Sequence, residues 1–163
     1  MANLISPNEI NFTAFEPKTQ NRFIMYIDGI PSFIVKKAQR PTYTSADITL
    51  DHINVKRKLK GKSDWNDITL ELYDPIVPSG AQSTMEWIRM SHESVTGRDG
   101  YADFYKKDIT INVLGPVGDK VEEWIIKGAY IKESNFGELD WASESDVVMI
   151  SLTIRYDYAI LNY

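Results

Sequence analysis

Residues 135–146 read NFGELDWASESD and place four carboxylates, Glu138, Asp140, Glu144 and Asp146, within nine residues. Acids this dense could hold a divalent cation or divide into a general acid and a general base. A calcium loop requires alternating acidic or amide ligands closed by a glycine at a fixed offset, and this stretch lacks that spacing. Glu138 and Asp140 would share one face if extended. Paired acids do hydrolytic work only where the environment drives their pKa values apart. Gly137, Ala142, Ser143 and Ser145 predict an exposed turn, where nothing would do so. The stretch therefore reads as a solvated turn between two antiparallel strands.

The other candidates for chemistry are as sparse. His52 lies beside Asp51, and His92 falls late on a predicted helix, where the C-terminal carbonyls favour a protonated ring without any function. Neither belongs to a metal-ligand pair such as HExxH, and no P-loop, GxSxG or strand-linked GxGxxG occurs. The chain has no cysteine, which excludes disulfides, thiol nucleophiles and cysteine-ligated zinc. The expectation is a protein without enzymatic activity, cofactor or metal.

Charge is the stronger signal. The net charge of −5 divides into +6 over residues 36–62 and −11 over the rest. The basic groups are Lys36, Lys37, Arg40, Lys56, Arg57, Lys58, Lys60 and Lys62. Lys56, Lys58 and Lys60 fall on one edge if the segment is extended. Such a run can grip nucleic acid, meet the negative patch of a second copy, or simply be solvated. Sequence-independent nucleic-acid binding normally interleaves aromatic platforms with the cations, and only Tyr43 and Trp65 are near. An acidic protein also repels a polyanion at long range. A protein partner is the favoured reading.

The elements that must position these residues are mainly strands. A chain of 163 residues with 43% apolar and 12% aromatic residues suits one domain with its own core. Residues 1–20 show turn formers and no period, and read as an N-terminal arm; residues 21–163 form the domain. NRFIMYIDGIPSFIVKKA predicts a hairpin around Asp28-Gly29. The chain from about Thr42 to Asn66 predicts a long excursion with extended pieces and no compact hairpin. Ile68, Leu70 and Leu72 alternate as one strand face, and Ile109, Ile111 and Val113 as another. Ser79 and Gln82 have capping-box spacing at the head of the one good helix, whose stripe is Ala81, Met85, Ile88 and Val95. DKVEEWIIKGAYIKESNF predicts a long strand bent at Gly128. The last strand, about 12 residues and well beyond the usual 5–6, should bury Val148, Ile150, Leu152, Ile154, Tyr156 and Tyr158. Its opposite face, Ser151, Thr153, Arg155 and Asp157, carries one charge of each sign and suits a water-filled bore. No apolar run approaches the roughly 18 residues of a spanning helix. The first residues lack a basic region followed by an apolar core, so neither a secretory signal nor membrane insertion is expected.

ESNFGELDWASESDVVMISLTIRYDYAIL resembles the C-terminal signature of the tail tube proteins of T4-type contractile-tailed phages. Leu139, Asp140, Trp141, Tyr156 and Asp157 match its pattern. WNDITLELYDP, the helix with Trp87, and the INVKRKLKGKSDW excursion follow in the family's order, so the resemblance spans residues 20–158. It implies a β-sandwich or barrel of long antiparallel strands with one flanking helix and a long loop between early strands. It also implies hexameric rings stacked head-to-tail into a hollow tube in a virion, assembled in the host cytoplasm. Sheath, baseplate, tape-measure and terminator proteins would be partners, and DNA would pass through transiently. The ring-stacking surface would then join Lys56, Arg57, Lys58, Lys60 and Lys62 to Glu138, Asp140, Glu144 and Asp146. Ser151, Thr153, Arg155 and Asp157 would face the lumen. Hcp of type VI secretion, extracellular contractile injection systems and tube terminators or initiators are similar alternatives. A small β-barrel binding a ligand or single-stranded nucleic acid is the reading from another class.

Overall fold

Gly128 lets one strand serve two sheets. The computed structural model describes residues 16–163. The strand β7 (Lys120–Asn135) pairs with β6 (Lys107–Leu114) as far as Ala129, and from Tyr130 onward it pairs instead with β8 (Met149–Arg155). At the changeover Gly128 has φ of +67°, and a Cβ there would lie 2.1 Å from Asp157 Oδ2. Only glycine meets both demands without strain.

The remaining strands hang on this bend. On one side β1 (Phe23–Ile27) pairs with β6, and β9 (Tyr158–Asn162) pairs with the first part of β7. On the other, β8 pairs with β5 (Ile68–Tyr73), and β5 with β2 (Val35–Ala38). Every pairing is antiparallel. The two halves share one core, in which Ile109, Ile111 and Ile126 meet Leu70, Leu72, Ile150, Leu152 and Ile154. Each such side chain stabilises by about 1.5–3 kcal/mol on burial. A register slip of one residue would turn a whole row outward. The architecture is the expected two-layered β fold with a flanking helix. It is not closed: no ladder joins β1 to β2 among the described residues.

The flanking helix α1 (Gly80–Ser91) starts where the cap predicts, with Ser79 Oγ accepting from the Gln82 backbone N–H at 3.3 Å. Its buried face differs from the expected stripe. Gly80, Thr84 and Trp87 point inward, while Val95 lies beyond the helix and is 93% exposed. Gly80 decides this, because it lets the helix approach the Tyr73 carbonyl more closely than a Cβ would allow. The short α2 (Ala102–Tyr105) follows, and its Tyr105 carbonyl accepts from Trp87 Nε1–H at 2.8 Å.

Three expectations are corrected. The Asp28-Gly29 turn forms, with Gly29 at φ +84°, but β1 and β2 are not a hairpin. A 3-10 turn (Ser32–Ile34) with buried Ile34 carries the chain from one half of the sheet to the other. Residues 43–65 are a compact hairpin after all, β3 (Tyr43–His52) against β4 (Val55–Trp65). The final 12-residue strand is broken at Tyr156–Asp157. Tyr156 keeps its buried place, but the Asp157 N–H turns to the Lys127 carbonyl at 3.0 Å. The chain thus steps from one half to the other beside the Gly128 bend, and Tyr158 emerges 48% exposed. Of the expected N-terminal arm, residues 1–15 lie outside the described residues.

Candidate assembly surfaces

The β3–β4 hairpin has two unlike faces because its register sorts the side chains. Lys60, Lys58 and Lys56 stand opposite Asp47, Thr49 and Asp51 on one face. Ile48 opposite Leu59, Leu50 opposite Arg57, and His52 opposite Val55 make the other. Arg57 therefore lies with the apolar residues, and Lys62 lies at the bulge near Gly61. At the base, Tyr43 packs edge-on to Trp65 at 5.3 Å, with Lys60 Nζ 5.2 Å from the Tyr43 ring. Hydrogen bonding to Lys60, with help from Ser45 and Ser63, lowers the Tyr43 hydroxyl to about 8. Ile48, Leu50, Leu59 and Val55 remain largely exposed. A two-stranded ribbon of this kind is marginal in water alone.

The opening carboxylates lie in the connection between β7 and β8. All four are exposed, and their bonds are local: Asp140 accepts from the Ala142 N–H at 2.9 Å, and Ser143 Oγ–H donates to Asp146 at 3.3 Å. Leu139 and Trp141 project from the same turn into solvent. No group of three or more metal-competent side chains occurs among the described residues. His52 sits at the hairpin tip, and His92 Nδ1 lies 2.7 Å from Asp99 Oδ1.

Strand direction separates the two charged regions. The hairpin joins the sheet where β2 ends and β5 begins. The acidic turn joins it where β5 ends and β8 begins, since Asp74 N–H reaches the Val148 carbonyl. One end of the half-sheet is basic and the opposite end acidic. The hairpin that carries Lys56, Lys58 and Lys60 thus joins the sheet at the end opposite the carboxylates, whereas Lys36, with its Nζ 5.7 Å from the Tyr73 ring, lies at the acidic end.

The face between the poles is polar and self-paired. Ser151, Thr153 and Arg155 share it with Glu71, Thr69 and Glu133. Arg155 binds Asp67 at 3.0 Å and Asp64 at 2.9 Å, Lys132 binds Asp67 at 2.6 Å, and Lys37 lies 3.8 Å from Glu71. Hydrogen bonds from Lys132 and Arg155 hold the Asp67 carboxyl below its ordinary range. Asp157 stands apart, past the end of β8, paired with Lys106 at 2.9 Å.

Sequence reasoning missed two features. Glu122 is 4% exposed and takes hydrogen bonds from Lys18 and from Trp124 Nε1–H, with Arg40 at 3.4 Å. The second is a cleft between the edges of β1 and β2, lined by residues from four separate stretches of chain. Its one sequence signal was the basic cluster Lys36, Lys37 and Arg40.

No protein-family model and no curated protein matches the chain. Solved structures do. A chain of the anti-feeding prophage cap, a tube-terminating cap, matches with a TM-score of 0.75 at 17% identity, covering 97% of this chain and 99% of that one. A chain of the PVC sheath/tube terminator, from an extracellular contractile injection system in the extended state, gives 0.74 at 20% identity, covering 93% and 100%. A chain of the PVC sheath–tube complex gives 0.68 at 20% identity, covering 98% and 99%. The class is therefore defined at the level of fold: this chain shares the fold of these chains from contractile injection system structures. The likeness covers nearly the whole of each chain.

Proposed function

We propose that the chain is a non-catalytic subunit of the inner tube of a contractile injection system, or of a terminating ring of the same geometry. The observation that carries this is a pair of free edges. The half-sheet β2-β5-β8-β7 has four alternating antiparallel strands, with β2 and the Tyr130–Asn135 part of β7 each unpaired on the outer side among the described residues. With an even number of strands, a neighbour related by rotation about an axis along the strands presents its β2 antiparallel to this β7. Each junction then continues the same ladder, and closing the ring removes edges that would otherwise aggregate. The opposite charge of the two poles suits head-to-tail stacking of such rings. Sheath-like and baseplate-like proteins are the partners this reading implies, in an extracellular assembly. Electron microscopy of the purified protein tests it: rings or tubes are expected, and a monodisperse monomer would favour the ligand-binding barrel instead.

The self-paired face is proposed as the lumen surface. Its cations are already matched by acids, so it offers a passing polymer little grip. Ser151→Cys and Thr153→Cys variants should assemble normally. Within tubes they should react slowly with bulky thiol reagents and at ordinary rates with small ones, against a chain with no native cysteine. Equal protection from both reagents would mean that the face packs against protein.

The hairpin is proposed to reach a neighbouring ring. Replacing Lys56, Lys58 and Lys60 together with Gln should raise the concentration needed for assembly severalfold. The change should be smaller in high salt, where attraction between exposed charges is screened beyond roughly 10 Å at 0.1 M. Gln is chosen over Glu because Glu would stand opposite Asp47 and Asp51 and unsettle the hairpin itself. Assembly of the triple variant at the wild-type concentration in low salt would remove the hairpin lysines from the stacking surface.

A further inference from the structure

The two ends of the half-sheet β2-β5-β8-β7 expose apolar side chains as well as charge. At the acidic end the four strands stop side by side, and each is joined there to an exposed apolar residue. Phe33 precedes β2, Ile76 follows β5, Val147 precedes β8, and Leu139 and Trp141 follow β7. Three strand spacings make this row about 14 Å wide. Glu138, Asp140, Glu144 and Asp146 flank its last two members.

At the other end stands the hairpin. Every residue from Ala46 to Lys60 is exposed, so its free part projects clear of its own body on both faces. The bulge between Ser45 and Asp47 bends the ribbon just beyond its base. The face without lysine sets Ile48, Leu50, Val55 and Leu59 around a single arginine, Arg57. Four residue steps along either strand make that face roughly 13 Å long, about the width of the row. Arg57 forms no ion pair among the described residues.

An apolar face around one cation fits an apolar row flanked by carboxylates. It fits a second copy of itself badly, since that contact would bury two arginines and no acid. The row of its own chain lies past the far end of β5, whose six residues span roughly 20 Å. A contact between unlike ends of two copies is heterologous and propagates head-to-tail.

Resting on the tube reading above, we infer that the hairpin docks on the acidic end of the next copy through its apolar face, with its lysine face turned away. Leu50 and Leu59 pack on the row beside Trp141, and Arg57 meets the carboxylates. Lys56, Lys58 and Lys60 then act from the far side of the ribbon, by attraction over a distance, which is why their loss is only severalfold. Tryptophan and arginine at the centre of an interface carry most of its energy. Trp141→Ala should raise the assembly concentration about thirtyfold or more. Its circular dichroism should not change, because the side chain is fully exposed in the single chain. Arg57→Gln should raise the assembly concentration about tenfold or more. Paired cysteines decide which face docks, in a chain with none of its own. Leu139→Cys with Leu50→Cys should give a disulfide-linked ladder on mild oxidation of tubes, and Leu139→Cys with Lys58→Cys should not. A ladder through Lys58→Cys, no ladder through either, or Trp141→Ala tubes at the wild-type concentration would overturn the docking and leave the tube reading intact. A wild-type chain that stays monomeric at every concentration would overturn both.

Discussion

Trp87→Ala should destabilise the fold by about 3–5 kcal/mol, the range for removing a large aromatic from a packed interior. For a chain of this size that corresponds to a fall of roughly 6–20 °C in melting temperature. Trp87 is 2% exposed and is the largest side chain that α1 drives into the sheet. Three contributions disappear with it. The cavity left under α1 cannot collapse, because Gly80 already holds the helix against the Tyr73 carbonyl. The Tyr105 carbonyl loses its donor. Lys107, whose Nζ lies 5.2 Å from the ring, loses a cation–π partner. Trp87→Phe separates these effects, since it keeps most of the volume and loses the hydrogen bond, and should cost about 1–3 kcal/mol. Thermal and denaturant unfolding of both variants provide the measurement. A loss under about 1 kcal/mol for Trp87→Ala would mean that the helix is a surface ornament rather than a wall of the core.

What could be read in advance follows from the range of the interactions. Alternation along Ile68–Leu72, Ile109–Val113 and Ile150–Ile154 is a local property, and all three rows are buried as the pattern predicts. The Ser79 cap is equally local. Pairing is not. Asp28-Gly29 makes its turn, yet each flanking strand finds a partner more than 30 residues away. The β3–β4 hairpin gave no turn signal because its loop places Ile53 at φ +49°, where Asn or Gly is the usual choice. The last strand kept its alternation through Tyr156, so nothing in the pattern marked Asp157 as the point of departure. The charged poles were half legible. The sequence segregates lysines from carboxylates, but only the strand order shows that the hairpin and the acidic turn join the sheet at opposite ends. The cleft was invisible, since its walls come from segments that no periodicity connects.

Glu122 is the plainest case of what only three dimensions reveal, and its removal should be the second costly change. Along β7 it looks like one of two solvent-facing acids before Trp124. In the fold it is buried beneath Lys18, 104 residues away in sequence, and Arg40, 82 residues away. Burial alone would push its pKa up. Hydrogen bonds from Lys18 and Trp124 and the charge of Arg40 outweigh that and hold it below the ordinary 4.5. A carboxyl whose folded pKa is depressed contributes stability that is fully present above the unfolded value and lost as the pH falls through the folded one. Glu122→Ala should therefore cost about 1–3 kcal/mol at pH 7, and the gap from wild type should narrow as the pH drops below 4.5. Both cations keep partial access to water, which is why the figure stays below that for a fully buried pair. Glu122→Gln should recover part of the loss, because an amide oxygen can still accept from Trp124. Denaturant unfolding at pH 7 and pH 3 decides the matter: equal losses at both would assign the effect to packing and not to the carboxylate.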